Sequence, residues 1–199
     1  MAASRTLLLL AAVALAGLGL TGLGLTGASA QTPNPLPPPA ITVAPDDPFG
    51  EQVTMTEKTI VYLEGSGLWD SAFETIVGAF KSVYGAIDKL GAKPNGAPMT
   101  IYTATDDNGF QFQAAVPVAQ APASPPQGDI KIGKSPTGTA LKFVHRGSYD
   151  EMDTTYEAIA HHLEEKNLEA KDLFVEQYIK DPVTTPEDDL VIEIYVPLK

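Results

Sequence analysis

The last 26 residues of the chain, 174–199, read FVEQYIKDPVTTPEDDLVIEIYVPLK, and their reading decides the fold. Two runs rich in β-branched and aromatic residues flank a proline-punctuated connection, which is the signature of two strands joined by a loop. Side chains alternate across a strand. In the first run Leu173, Val175, Gln177 and Ile179 therefore share one face, and Phe174, Glu176 and Tyr178 share the other. In the second run Leu190, Ile192, Ile194, Val196 and Leu198 make an aliphatic face, opposed by Val191, Glu193 and Tyr195. The aliphatic faces are expected to pack on helices. Glu176 and Glu193, each two residues before a tyrosine, are then expected to line a shared cleft.

The same pattern occurs once more upstream. TIVYLEG (59–65) precedes a helix over 71–90, the strand MTIYTAT (99–105), the turn DDNG (106–109) and the strand FQFQAAVPVA (110–119). TALKFVHRG (139–147) precedes a helix over 149–166 and then the closing two strands. Both helices carry apolar residues at helical spacing: Trp69, Phe73, Ile76, Val77, Phe80, Tyr84 and Ile87 in the first, Tyr149, Met152, Tyr156, Ile159 and Leu163 in the second. Ser71 with Glu74, and Ser148 with Glu151, fit capping boxes at their starts. In DDNG, Asn108 and Gly109 tolerate the positive φ of a tight hairpin. The fold class is α+β, built as two βαββ repeats with pseudo-twofold symmetry. Their bounds are about 54–120 and 130–199, with a Pro-rich connector at 121–129. Superposing the repeats sets Tyr102 on Tyr178, Thr100 on Glu176 and Gln113 on Glu193. The second repeat is thus acidic where the first is neutral.

Ahead of the repeats, residues 1–30 join one arginine to a long apolar, Gly-rich run and an Ala-Ser-Ala ending, as a secretory signal peptide does. An uncleaved membrane anchor is the other reading of that run. Residues 31–50 hold QTPNPLPPPAITVAPDDPFG, a proline-fixed tether. The expected location is the bacterial periplasm or beyond it. The absence of cysteine excludes disulfides, thiol nucleophiles and a lipid-anchored Cys. A net charge of −12 repels phosphate backbones, so nucleic acid is not an expected partner.

The second half resembles the GyrI-like, AraC effector-binding domain family, which is related in fold to the SOUL heme-binding proteins. Four features carry the resemblance: Gly147-x-Tyr149 at a helix start, Glu176-x-Tyr178 in a strand, Asp181-Pro182 in a hairpin, and Tyr195-x-Pro197-Leu198 at the end. The resemblance implies a domain over 51–199 whose two units enclose an aromatic cleft. It puts Glu176 at the glutamate that meets lipophilic, often cationic, ligands. Regulators of the family carry a helix-turn-helix domain, and here a leader and tether stand in that place.

The ligand-binding candidates are Glu176, Tyr178, Tyr149, Tyr195, Tyr102, Trp69 and Glu193. Burial among rings disfavours a bare carboxylate, and a bound cation offsets that cost through ion pairing and ring faces. An alternative is hydrolysis of electrophilic small molecules, with Glu176 as general base and Tyr178 or Tyr149 as proton donor. A third reading is an envelope interaction module held by the tether. Heme stands as a further alternative to no cofactor, with His145 as its axial ligand. No metal is expected: His161 and Glu165 have the spacing of a ligand pair but lack an evident third ligand.

Overall fold

The computed structural model describes residues 49–199. The leader and the tether up to residue 48 lie outside them. Phe49 and Gly50, read from the sequence as the end of the tether, belong to the domain. Phe49 packs edge-on against Phe143, with ring centroids 4.7 Å apart, and the Gly50 amide donates to the Lys142 carbonyl.

Eight strands and two helices follow in the order β1 (Glu51–Met55), β2 (Thr59–Leu68), α1 (Ala72–Leu90), β3 (Met99–Thr105), β4 (Gly109–Pro117), β5 (Ile130–Lys134), β6 (Gly138–Arg146), α2 (Met152–Lys166), β7 (Phe174–Tyr178) and β8 (Val191–Pro197). The strands form one antiparallel sheet ordered β1-β6-β8-β7-β3-β4-β2-β5. The fold is α+β. The order is compatible with a twofold through the central β3–β7 pair, where Thr100 lies directly opposite Glu176. β1 and β5 were not read as strands. Each pairs with a strand from the other half of the chain: β1 precedes β2 in the chain yet pairs with β6, and β5 precedes β6 yet pairs with β2.

Both helices lie on one side of the sheet. The long amphipathic α1 buries Ala72, Ile76, Ala79, Phe80, Val83 and Ile87, and α2 buries Met152, Thr155, Ile159 and Leu163. These meet Phe110, Phe112 and Ala114 of β4, Phe143 of β6 and Ile192 and Ile194 of β8 in one core. A fully buried side chain of this size contributes about 1.5–3 kcal/mol by its removal from water. Each helix ends on a left-handed residue, Gly91 at φ 63° and Asn167 at φ 51°, whose backbone N–H closes the last turn.

The helix starts differ from the expected capping boxes. Ser148 does cap, accepting from the Asp150 amide at 3.3 Å, but the turn it caps is a short 3-10 segment, Tyr149–Glu151, ahead of α2. Ser71 makes no capping bond, because a 3-10 turn at Trp69–Ser71 feeds α1 directly. The DDNG turn also differs. Asn108 and Gly109 keep negative φ, and the Asp106 carboxylate holds the turn by accepting from both amides at 2.7 and 3.0 Å. Glycine is needed at 109 for another reason: a side chain there would run into the Gly67 carbonyl oxygen of β2.

Candidate functional site

Register places the two Glu-x-Tyr pairs on opposite sides of the sheet. Glu176 lies across from Thr100 on β3 and Ile194 on β8, so it shares the helix side with Ile192 and Ile194. Glu193 lies across from Gln177 and Val144, and Tyr195 from Val175 and Lys142, which sets both on the side without helices. The expected shared cleft therefore does not form. In β8 the aliphatic face packs on the helices as read. In β7 it is Phe174, Glu176 and Tyr178 that face them, while Val175 joins Ile60, Met99, Ile101 and Ala115 in a second cluster on the far side. The physical reason is that tyrosine hydroxyls satisfy the carboxylate, so a strand face bearing Glu can lie under a helix.

Glu176 is 1% exposed. Its Oε2 lies 2.8 Å from the Tyr178 hydroxyl, 3.1 Å from that of Tyr102 and 3.3 Å from that of Tyr149. Its Oε1 accepts from Tyr156 at 2.8 Å. The Tyr102 and Tyr149 hydroxyls are also 2.8 Å apart, so one of them donates to the other while the remainder donate to the carboxylate. O–H donors to an ionised oxygen form strong bonds, shorter and about twice as strong as neutral ones. Burial pushes the Tyr102 and Tyr178 phenols well above their ordinary range, and the nearby Glu176 charge pushes them further. They remain neutral donors at physiological pH.

The tyrosines come from four elements: Tyr102 from β3, Tyr149 from the turn before α2, Tyr156 from α2 and Tyr178 from β7. Rings close over the network. Tyr102 stacks on Phe174 at 4.4 Å, Tyr156 meets Phe174 edge-on at 5.3 Å, and Phe73 of α1 lies against Tyr149 at 5.2 Å. Trp69 covers Phe110 and Tyr102 and is pinned by its indole N–H to the Asp106 carbonyl at 2.8 Å. A cavity of about 10 Å³ remains between Trp69, Tyr149, Tyr156, Phe174 and Glu176, enough for about one water.

Of the residues singled out in the sequence, Glu176, Tyr178, Tyr149, Tyr102 and Trp69 converge, and Tyr195 and Glu193 do not. Tyr195 donates to Glu193 at 2.6 Å on the far face. Tyr156 and Phe174 were missed as site residues. Tyr156 was legible in principle, since it lies seven residues after Tyr149 and so on the same helical face. His145 is buried. Its Nδ1 lies 2.8 Å from the Thr155 hydroxyl and its Nε2 3.0 Å from the Ser148 carbonyl, so both ring nitrogens are engaged within the fold. His161 and Glu165 form an exposed pair at 3.7 Å.

An α+β domain whose helix-covered sheet holds one carboxylate inside an aromatic box has the build of a small-molecule receptor. Residues 51–199 match the GyrI-like small molecule binding domain, and the chain belongs to that family. No curated protein sequence matches the chain. Among solved structures, it is similar to EcmrR in its DNA complex, at 15% identity and TM-score 0.64, covering 75% of this chain and 57% of that one. It is similar to the isolated EcmrR C-terminal domain at 16% identity and TM-score 0.61, covering 75% and 96%. A third similar structure is SAV2435 bound to tetraphenylphosphonium, at 17% identity and TM-score 0.53, covering 75% and 93%. This chain thus spans little more than half of the EcmrR chain in the DNA complex.

Proposed function

We propose that this domain binds lipophilic cations in the box around Glu176, outside the cytoplasm. The observation that carries the reading is one carboxylate, 1% exposed, within hydrogen-bonding distance of four tyrosine hydroxyls and walled by ring faces. A delocalised cation gains from the carboxylate and from each ring face it meets, about 0.5–2 kcal/mol per face. The tetraphenylphosphonium held by the similar SAV2435 supports the same ligand chemistry. A cavity of about 10 Å³ admits no such ligand unless rings part. Trp69, Tyr156 and Phe174 are partly exposed members, and outward rotation of these rings opens the box to solvent. Export rests on the apolar leader at 1–30, with the proline-rich tether at 31–48 leading to Phe49.

The test is a thermal-shift titration of the full chain with tetraphenylphosphonium and with neutral tetraphenylmethane-like compounds. A saturating cation raises the melting temperature by several degrees through mass action. Glu176→Gln abolishes that rise and leaves any neutral-ligand response in place. Equal responses of the two proteins to the cation overturn the reading. Turnover of a strained electrophile that is lost in Glu176→Gln moves the protein to the hydrolase class.

A further inference from the structure

The side of the sheet without helices holds a larger space than the aromatic box. Its floor is Met99 of β3 and Val175 of β7, which are 4% and 3% exposed although no helix covers them. They are sheltered by two connections that cross the sheet. The β1–β2 link and the β5–β6 link are clipped together, with the Lys58 amide donating to Ser135 Oγ at 2.9 Å and the Ser135 amide to the Lys58 carbonyl at 2.9 Å. Beneath the clip lies a cavity of about 210 Å³. A cavity of about 150 Å³ accommodates benzene, so this one has room for a single ring with a polar head.

The charges around it set the class of that head. Lys58 lines the cavity, and its ammonium reaches the amide oxygen of Gln177 at 3.5 Å. Among the described residues no carboxylate pairs with Lys58. Glu193, the nearby acid, is already engaged by Tyr195 at 2.6 Å, by the Gln177 amide at 3.4 Å and by Lys142 at 4.0 Å. The neighbouring Glu57 pairs instead with Lys134 at 3.1 Å. In a chain of net charge −12, a lysine held over an apolar floor with no acidic partner among the described residues is a ready counter-ion.

We propose that this cavity is a second ligand site, for a small monocarboxylate with a ring-sized apolar body. Lys58 takes the carboxylate in place of the Gln177 amide oxygen it now reaches, and Met99 and Val175 take the ring. The two sites then lie back to back on β7, since Glu176 and Gln177 are consecutive residues with opposite facing. They also select opposite charges.

Amide-resolved NMR titration of the full chain with benzoate, benzamide and benzylamine tests this. Benzoate saturates, moves the Met99, Val175 and Gln177 signals, and binds at least about fivefold more tightly than benzamide, the worth of one half-exposed charge pair. Benzylamine does not compete. Lys58→Met, whose spectrum reports whether it is folded, erases the preference for benzoate, and Lys58→Arg retains it. Equal affinity for all three probes overturns the proposal. So does an unchanged benzoate affinity in folded Lys58→Met, or a response confined to Trp69 and Tyr156.

Discussion

The sequence Glu-x-Tyr occurs twice on neighbouring strands, and the two copies end in opposite environments. Glu176 and Tyr178 lie under the helices at 1% and 0% exposure, tied to three further tyrosines. Glu193 and Tyr195 lie on the far face, partly exposed, tied to each other, to Gln177 and to Lys142. One residue of register decides this, because the β7–β8 pairing sets Glu176 against Ile194 and Glu193 against Gln177. The same local motif is thus a buried hydrogen-bond hub in one place and a solvated pair in the other. What differs is the number of donors that surrounding elements deliver.

That contrast predicts a large asymmetry in mutational cost. Glu176→Ala strips the acceptor from buried hydroxyls and leaves a cavity, and is expected to cost ~3–5 kcal/mol in denaturant unfolding. Glu193→Ala is expected to cost ~1 kcal/mol or less, since water replaces its partners. Similar costs for the two would mean that the far face is as tightly built as the near one. A smaller step sharpens the same point. Tyr178→Phe removes a buried bond to a carboxylate and is expected to cost ~1.5–3 kcal/mol, against ~0.5–1 kcal/mol for Tyr195→Phe.

How far the sequence carried the reading follows from the same comparison. The two long helices, the central strands and the α+β class were legible, because apolar spacing and alternation are strong signals there. The edge strands β1 and β5 were not, since EQVTM and IKIGK are short and half polar, and their partners lie in the other half of the chain. Glu176, Tyr178, Tyr149 and Tyr102 were marked as site residues by pattern and resemblance. Glu193 and Tyr195 were grouped with them on the assumption that carboxylate-bearing faces of adjacent strands coincide. Alternation gives two faces per strand but does not say which one meets a helix. That choice depends on whether distant tyrosines arrive to satisfy a buried acid, and Tyr156 and Tyr149 come from a helix start that only tertiary packing brings near.

The near face should also give the domain its pH sensitivity. His145 of β6 lies opposite Ile192 and so under α2, where burial depresses its pKa below the ordinary 6.5. The Ser148 carbonyl and the Glu151 charge pull the other way without overcoming burial. Folding therefore favours the neutral ring. The unfolded chain takes up the proton first as pH falls through about 6.5, so stability present above that pH is lost below it, until the folded form also protonates. His145→Gln should flatten the melting temperature between pH 7 and pH 5 relative to the parent. A parent profile already flat over that window would show that the Thr155 and Ser148 contacts accept a charged ring at no penalty.

The far face should respond to salt instead, and least of all. Lys142 bridges Glu51 at 3.1 Å and Glu193 at 4.0 Å, with its side chain about one-fifth exposed and theirs more so. Pairs of this kind contribute ~0.2–1 kcal/mol and are screened within a Debye length of about 10 Å at 0.1 M salt. Lys142→Met keeps the stem that packs along the sheet and removes only the charge. Its cost is expected to be below ~1 kcal/mol at low salt and to vanish by 1 M sodium chloride. The Glu176 network, closed to solvent and built from neutral donors, should show no such convergence. If the cost of Tyr178→Phe shrank with salt as that of Lys142→Met does, water would have to reach the tyrosine box, and the two faces would not differ in the way their burial requires.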